Sequence, residues 1–329
     1  MNEENNQFNS QNNNDLQQEQ SSPDDSVNPL IHPVGAAFIG LIGGFFLYQV
    51  VGGLLTILIF GFNVEDAPVN GIRLMTMAGQ FLFILLPAIL FSKIFYQNVS
   101  AIIKLRIPNW QEVLLFVAGI IILTPLMQSY LYIQNYFIDE LAKISSFISS
   151  IKEALDLMNE FIEETYGGLI TASNFFEGIL VVLVIAVTPA ICEEFMFRGF
   201  IQRSFEFKVK PFYAALITAF FFGIYHFNPY GIIPLIGIGL YFGFAAYMSN
   251  SILIPVLMHF LNNFSAVMLF FIFGDDELIS SAPTTDVDLF TSTVTFLVLL
   301  ALFTGLIILT KKYYLKMQGQ QLNLNQIND

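Results

Sequence analysis

The sequence predicts an all-α fold, a polytopic transmembrane bundle of about eight helices, and three observations carry the prediction. Charged residues make up only 12% of the 329 residues and hydrophobic ones 55%, whereas a soluble domain carries roughly 25% charged residues. Nearly uncharged apolar runs long enough to cross a bilayer as helix recur along the chain. These runs do not alternate in polarity, as the short strands of a membrane β-barrel do.

The spans fall at roughly 35–61, 73–96, 112–136, 174–203, 211–227, 231–248, 252–273 and 289–310. Residues 1–33 are dominated by Asn, Gln, Ser and Asp, lack the apolar surface needed to fold, and have no basic, then apolar, signal-peptide pattern. They are expected to be a disordered tail. The bundle then occupies 34–310, and 311–329 is a second, cytoplasmic tail. Pro189 predicts a kink inside the fourth span, and Asn228-Pro229 a sharp turn after the fifth. Between the third and fourth spans, Leu141, Ile144, Ile148, Ile151, Leu155, Met158 and Ile162 recur at steps of three and four. That period predicts an amphipathic helix over about 138–165, lying at the membrane interface or capping the bundle.

The net charge is −13, and the acids collect in the tail, the 139–164 connection and Asp275 to Glu277. No nucleic-acid partner is expected from such a balance; the lipid bilayer is the first partner. Lys93, Lys104, Arg106, Arg203, Lys208, Lys210, Lys311, Lys312 and Lys316 fall on one side of an eight-span topology, against Arg73, Lys143 and Lys152 on the other. The positive-inside rule then places both termini in the cytoplasm, and the tail composition suits a bacterial inner membrane. Cys192 is the sole cysteine, so no intrachain disulfide can form.

Ionisable groups inside apolar spans are costly, and mark functional sites by default. Here they form three groups: Cys192-Glu-Glu-Phe-Met-Phe-Arg198, Phe222-Gly-Ile-Tyr-His226 and His259-Phe-Leu-Asn-Asn263. Glu194 and Arg198 are four apart and share a helix face, as do His259 and Asn263. Glu193 points about 100° away from Glu194. Counting rise per residue from the cytoplasmic ends, Glu193, His226 and His259 lie roughly 15, 22 and 10 Å deep, close enough for one shared cavity.

The succession E-E-x-x-x-R, F-x-x-x-H and H-x-x-x-N on successive spans resembles the CPBP intramembrane proteases, also called the Abi or CAAX prenyl endopeptidase family. The resemblance covers about 174–273. It implies an endopeptidase acting on a membrane-associated, prenylated or peptide substrate. Glu193 would be the general base and His226 would help to hold the water. His259 and Asn263 would stabilise the oxyanion, while Glu194, Arg198 and Phe222 support the site. The chemistry is sound in itself, because a carboxylate in a low-dielectric cavity makes a good base and preorganised donors favour an oxyanion. No cofactor is expected. Zinc is the alternative, with Glu193, His226 and His259 as ligands of suitable type, although no H-E-x-x-H occurs. Two other functions compete: a proton- or ion-coupled transporter, which would be expected to show internal repeats, and a catalytically silent membrane scaffold.

Overall fold

The computed structural model describes residues 27, 29–63, 66–274 and 288–328. Among these there is no strand. Helix α1 spans Pro33–Phe60 and α2 Val69–Tyr96. They are followed by α3 Trp110–Ile144, α4 Ser146–Ile170, α5 Phe175–Glu206, α6 Pro211–Tyr225, α7 Ile232–Ser249, α8 Leu253–Phe273 and α9 Leu289–Asn328. Seven of them are long and apolar enough to cross a membrane. The exception among the expected spans is α6, whose 15 residues reach only about 22 Å of a hydrocarbon core near 30 Å. It forms a hairpin with α7 and carries His226 at its tip.

Local sequence explains the boundaries. Asn109 and Glu112 form a capping box at the start of α3, and Asn174 caps α5 through the Glu177 amide. Gln97, Asn250 and Gly274 end their helices in the left-handed region, at φ 59°, 46° and 64°.

Prolines shape the interior. In α5 a π-helical segment, Leu183–Val187, ends two residues before Pro189, and in α2 another, Phe81–Leu85, ends two residues before Pro87. The kink expected at Pro189 takes this form. A proline inside a helix orphans the carbonyl four residues earlier, and the neighbours supply donors. Asn263 Nδ2 donates to Ile185 O at 3.0 Å, serving Pro189. Gln134 Nε2 donates to Tyr230 O at 2.9 Å, in the turn that leads into α7.

One end of the bundle is tied by Leu30 N–H to Phe95 O, Arg106 to Ser249 O, and Asn109 to Tyr313. The loops and helix ends there carry the nine Lys and Arg residues grouped above. The opposite end carries α4 and Arg73, which donates to Leu169 O, Asn70 Oδ1 and Thr171 O.

Three expectations need correction. First, the 138–165 helix is broken at Ser145, whose backbone is extended and whose side chain caps α4. α3 therefore runs past the membrane to Ile144, and the expected stripe is divided between two helices. In α4, Ile148, Leu155 and Ile162 turn inward, while Ile151 and Met158 are exposed beside Phe147 and Phe161. Second, the C-terminal tail is not separate, because α9 continues unbroken as 40 residues. Third, order begins before Pro33, since Val27 is buried against the bundle and Leu30 bonds to α2. The remainder of the N-terminal tail and the acidic 275–277 run lie outside the described residues.

Candidate active site

The carboxylates, imidazoles and guanidinium come from three helices, and a fourth lends backbone. α5 supplies Glu193, Glu194 and Arg198, α6 ends on His226, α7 supplies backbone carbonyls, and α8 supplies His259 and Asn263. Phe222 stands at the centre, 2% exposed. Its ring centroid lies 4.5 Å from that of His226 and 6.0 Å from that of His259, and the Arg198 guanidinium sits over it at 4.4 Å.

Two polar groupings meet around this ring. In the first, His226 Nε2 faces Glu193 Oε2 at 3.9 Å. His226 Nδ1 lies 2.7 Å from the Phe222 carbonyl. A carbonyl only accepts, so Nδ1 carries a proton, and in the neutral ring Nε2 presents its lone pair. Glu193 Oε2 is buried and has no hydrogen-bond partner. Two acceptors thus face each other across a gap that one water molecule, donating both protons, would bridge.

The second grouping is fully buried. Glu194 Oε1 accepts from Arg198 Nη1 and from His259 Nδ1, both at 2.7 Å. The expected Glu194–Arg198 pair is present, but His259 joins it instead of standing free beside Glu193 and His226. Among the described residues, no cluster of three or more His, Cys, Asp or Glu side chains is placed to hold a metal ion. Asn263 lies one turn beyond His259 as expected, with one amide N–H given to Ile185 O and the second available.

Sequence reasoning missed the α7 side of the site. Arg198 Nη2 donates to Gly239 O at 3.0 Å, and Gln202 Nε2 to Gly243 O at 2.9 Å. Two side chains four apart on α5 thus read two carbonyls four apart on α7. Space is tight at both positions. A Cβ on Gly239 would lie 3.1 Å from Phe222 and 3.2 Å from Arg198, and one on Gly243 would lie 2.9 Å from the Cβ of Ala215. The signal was legible as a small-x-x-x-small pair in an apolar span. Phe242 was missed as well; it is 1% exposed and closes over His259 at 5.6 Å.

No curated protein and no solved structure matches the chain. One family model does, that of Type II CAAX prenyl endopeptidase Rce1-like proteins, over residues 175–265. This segment holds Glu193, Glu194, Arg198, Phe222, His226, His259 and Asn263, so the resemblance seen in three motifs extends over the whole site, and the match supports the likeness of this part of the chain to the CPBP, or CAAX protease, family.

Proposed function

We propose that the protein is an intramembrane endopeptidase in which Glu193 and His226 hold and activate the attacking water. The observation that carries the reading is the facing pair of acceptors, Glu193 Oε2 and His226 Nε2, 3.9 Å apart with the carboxylate oxygen unpartnered. Water held there gives one proton to Glu193 as its oxygen attacks the peptide carbonyl. Glu193 then returns that proton to the leaving amine as the C–N bond breaks. The oxyanion would be met by the second amide N–H of Asn263 and by His259, which in its doubly protonated form donates from Nε2 while Nδ1 stays bonded to Glu194. Glu194 is therefore given a second role, orienting His259 as well as pairing with Arg198. No step calls on a metal.

The substrate class follows the family: a membrane-associated polypeptide, prenylated or not, cleaved at the bilayer. We assign the end bearing the nine Lys and Arg residues to the cytoplasm, by the positive-inside rule. The experiment compares peptides that accumulate in cells expressing wild type or Glu193→Gln, then tests cleavage of those peptides by purified protein. Glu193→Gln is expected to fold normally and to lose about 10²–10⁴-fold in rate, and the purified enzyme to hold no stoichiometric zinc. Near-normal turnover by Glu193→Gln, or activity that is lost on chelation and restored by zinc, overturns the assignment.

A further inference from the structure

His226 stands where α6 ends, and its ring is held only from within that helix, by the Phe222 carbonyl at 2.7 Å. Where Nε2 lies relative to Glu193 therefore depends on what fixes the tip of α6. The next residue, Phe227, takes φ 53°, a left-handed conformation that is an outlier for a bulky side chain. Such a backbone persists only where its surroundings over-determine it. Asn228 Oδ1 supplies one constraint, accepting from Gly231 N–H at 2.7 Å across the turn.

Tyr230 supplies the others. It is 1% exposed, and two further helices hold it. Its hydroxyl donates to Asp156 Oδ1 of α4 at 2.5 Å, and its carbonyl accepts from Gln134 Nε2 of α3 at 2.9 Å. The bond to a carboxylate is of the stronger, charge-assisted kind. Lys152 Nζ lies 2.7 Å from Asp156 Oδ2 and 3.4 Å from Asp139 Oδ1 of α3, so the acceptor is itself tied down. The loop that leaves His226 is thus anchored four residues later to α3 and α4, outside the three helices that carry the reacting groups.

We propose that Tyr230 is a positioning residue for His226, and that α4 acts on the site through it. Its hydroxyl bond to Asp156 keeps the tip of α6 where Nε2 faces Glu193. A displacement of about 1 Å at such a group can cost about 100-fold in rate. The effect on cleavage rests on the peptidase reading, whereas the coupling of Tyr230 to His226 can be read without substrate.

The chain has three histidines, His32, His226 and His259. The whole protein, labelled with ¹⁵N-histidine and placed in lipid bilayers, is read by solid-state NMR, with His32→Gln and His226→Gln assigning the signals. Tyr230→Phe keeps the ring and removes the hydroxyl. It is expected to move the His226 Nε2 signal, to leave those of His32 in place, and to lower kcat about tenfold or more with KM within about twofold. Asp156→Asn, at a partly exposed position, is expected to move the same signal and reports if Tyr230→Phe folds poorly. Unchanged His226 signals in the folded variants overturn the proposal, as does a moved signal with undiminished kcat. A moved signal in a protein whose Glu193→Gln variant still cleaves supports the coupling and counts against the peptidase reading instead.

Discussion

Replacing Arg198 with Met is expected to remove most folded protein, and the size of the effect can be worked from its contacts. The guanidinium is wholly buried; it pairs with Glu194 at 2.7 Å, donates to Gly239 O at 3.0 Å and lies 4.4 Å above Phe222. Breaking a buried ion pair from one side costs about 3–5 kcal/mol, because a charge is left without compensation. The orphaned Gly239 carbonyl adds about 1–3 kcal/mol and the lost cation–π contact about 2 kcal/mol. These terms overlap, and a combined loss of about 5 kcal/mol would match the whole stability of many domains. The assay is monodisperse yield from detergent, followed by denaturant titration of what remains. The double variant Arg198→Met/Glu194→Met removes the stranded carboxylate but also the acceptor of His259 Nδ1, and is expected to recover part of the loss, since apolar replacement of buried pairs is often tolerated. Wild-type stability in Arg198→Met alone would refute the argument, as would a double variant no better than the single one.

Further perturbations separate chemistry from support. Asn263→Ala is expected to slow cleavage by about 10²–10³-fold and to destabilise by about 1–3 kcal/mol, because Ile185 O loses its donor. Adding Pro189→Ala, which returns a backbone N–H to that carbonyl, should restore stability without restoring rate; recovery of both in cleavage and unfolding assays would make Asn263 purely structural. Gly239→Ala, with its Cβ forced against Phe222 and Arg198, is expected to lower cleavage at least tenfold and also folded yield, which an unchanged rate would contradict. At the opposite end, burial alone would raise the Asp156 carboxyl, but hydrogen bonds from Lys152 and Tyr230 outweigh it and hold the group below its ordinary 3.8. A carboxyl depressed in the folded state contributes stability that is complete above its unfolded value and is lost as pH falls through the folded one. Protection factors across 146–170, taken relative to intrinsic exchange, should therefore fall below about pH 3.8, and Asp156→Asn should lose the protection at neutral pH; pH-independent protection factors in wild type would rule the clamp out.

The spans were legible because lipid selects them by composition, and the three polar groups stood out because charge is expensive inside those spans. The partner of His259 was not legible. Glu193 and Glu194 are adjacent and chemically identical, and only packing decides that His226 faces the first and His259 the second. The glycine pair at 239 and 243 was in plain view, yet its meaning depends on Arg198 and Gln202 arriving in the same register. Helix ends outside the apolar core also escaped: α3 reaches Ile144 and α9 reaches Asn328 through polar residues that hydropathy does not count. The link from Asn263 to Ile185 could not be read locally, since its logic lies in a proline on another helix.

The partners of α5 set a timetable for synthesis. When Arg198 is made, its carbonyl acceptor at Gly239 lies 41 residues downstream. His259 follows 65 residues after Glu194, and Asn263 78 residues after Ile185. At about 5–20 residues per second, the last of these takes roughly 4–16 s to appear. Through that interval the middle of α5 carries Glu193, Glu194, Arg198 and an orphaned carbonyl, and of these only Glu194 and Arg198 can pair within the helix itself. Hydrocarbon gives the rest no partner, so α5 is expected to wait beside the insertion channel until α7 and α8 emerge, and the four helices to enter lipid as a group. Chains ending near residue 230 should remain crosslinked to the channel through α5 and chains ending past residue 275 should not; early release of the shorter chain would show that α5 can enter lipid alone.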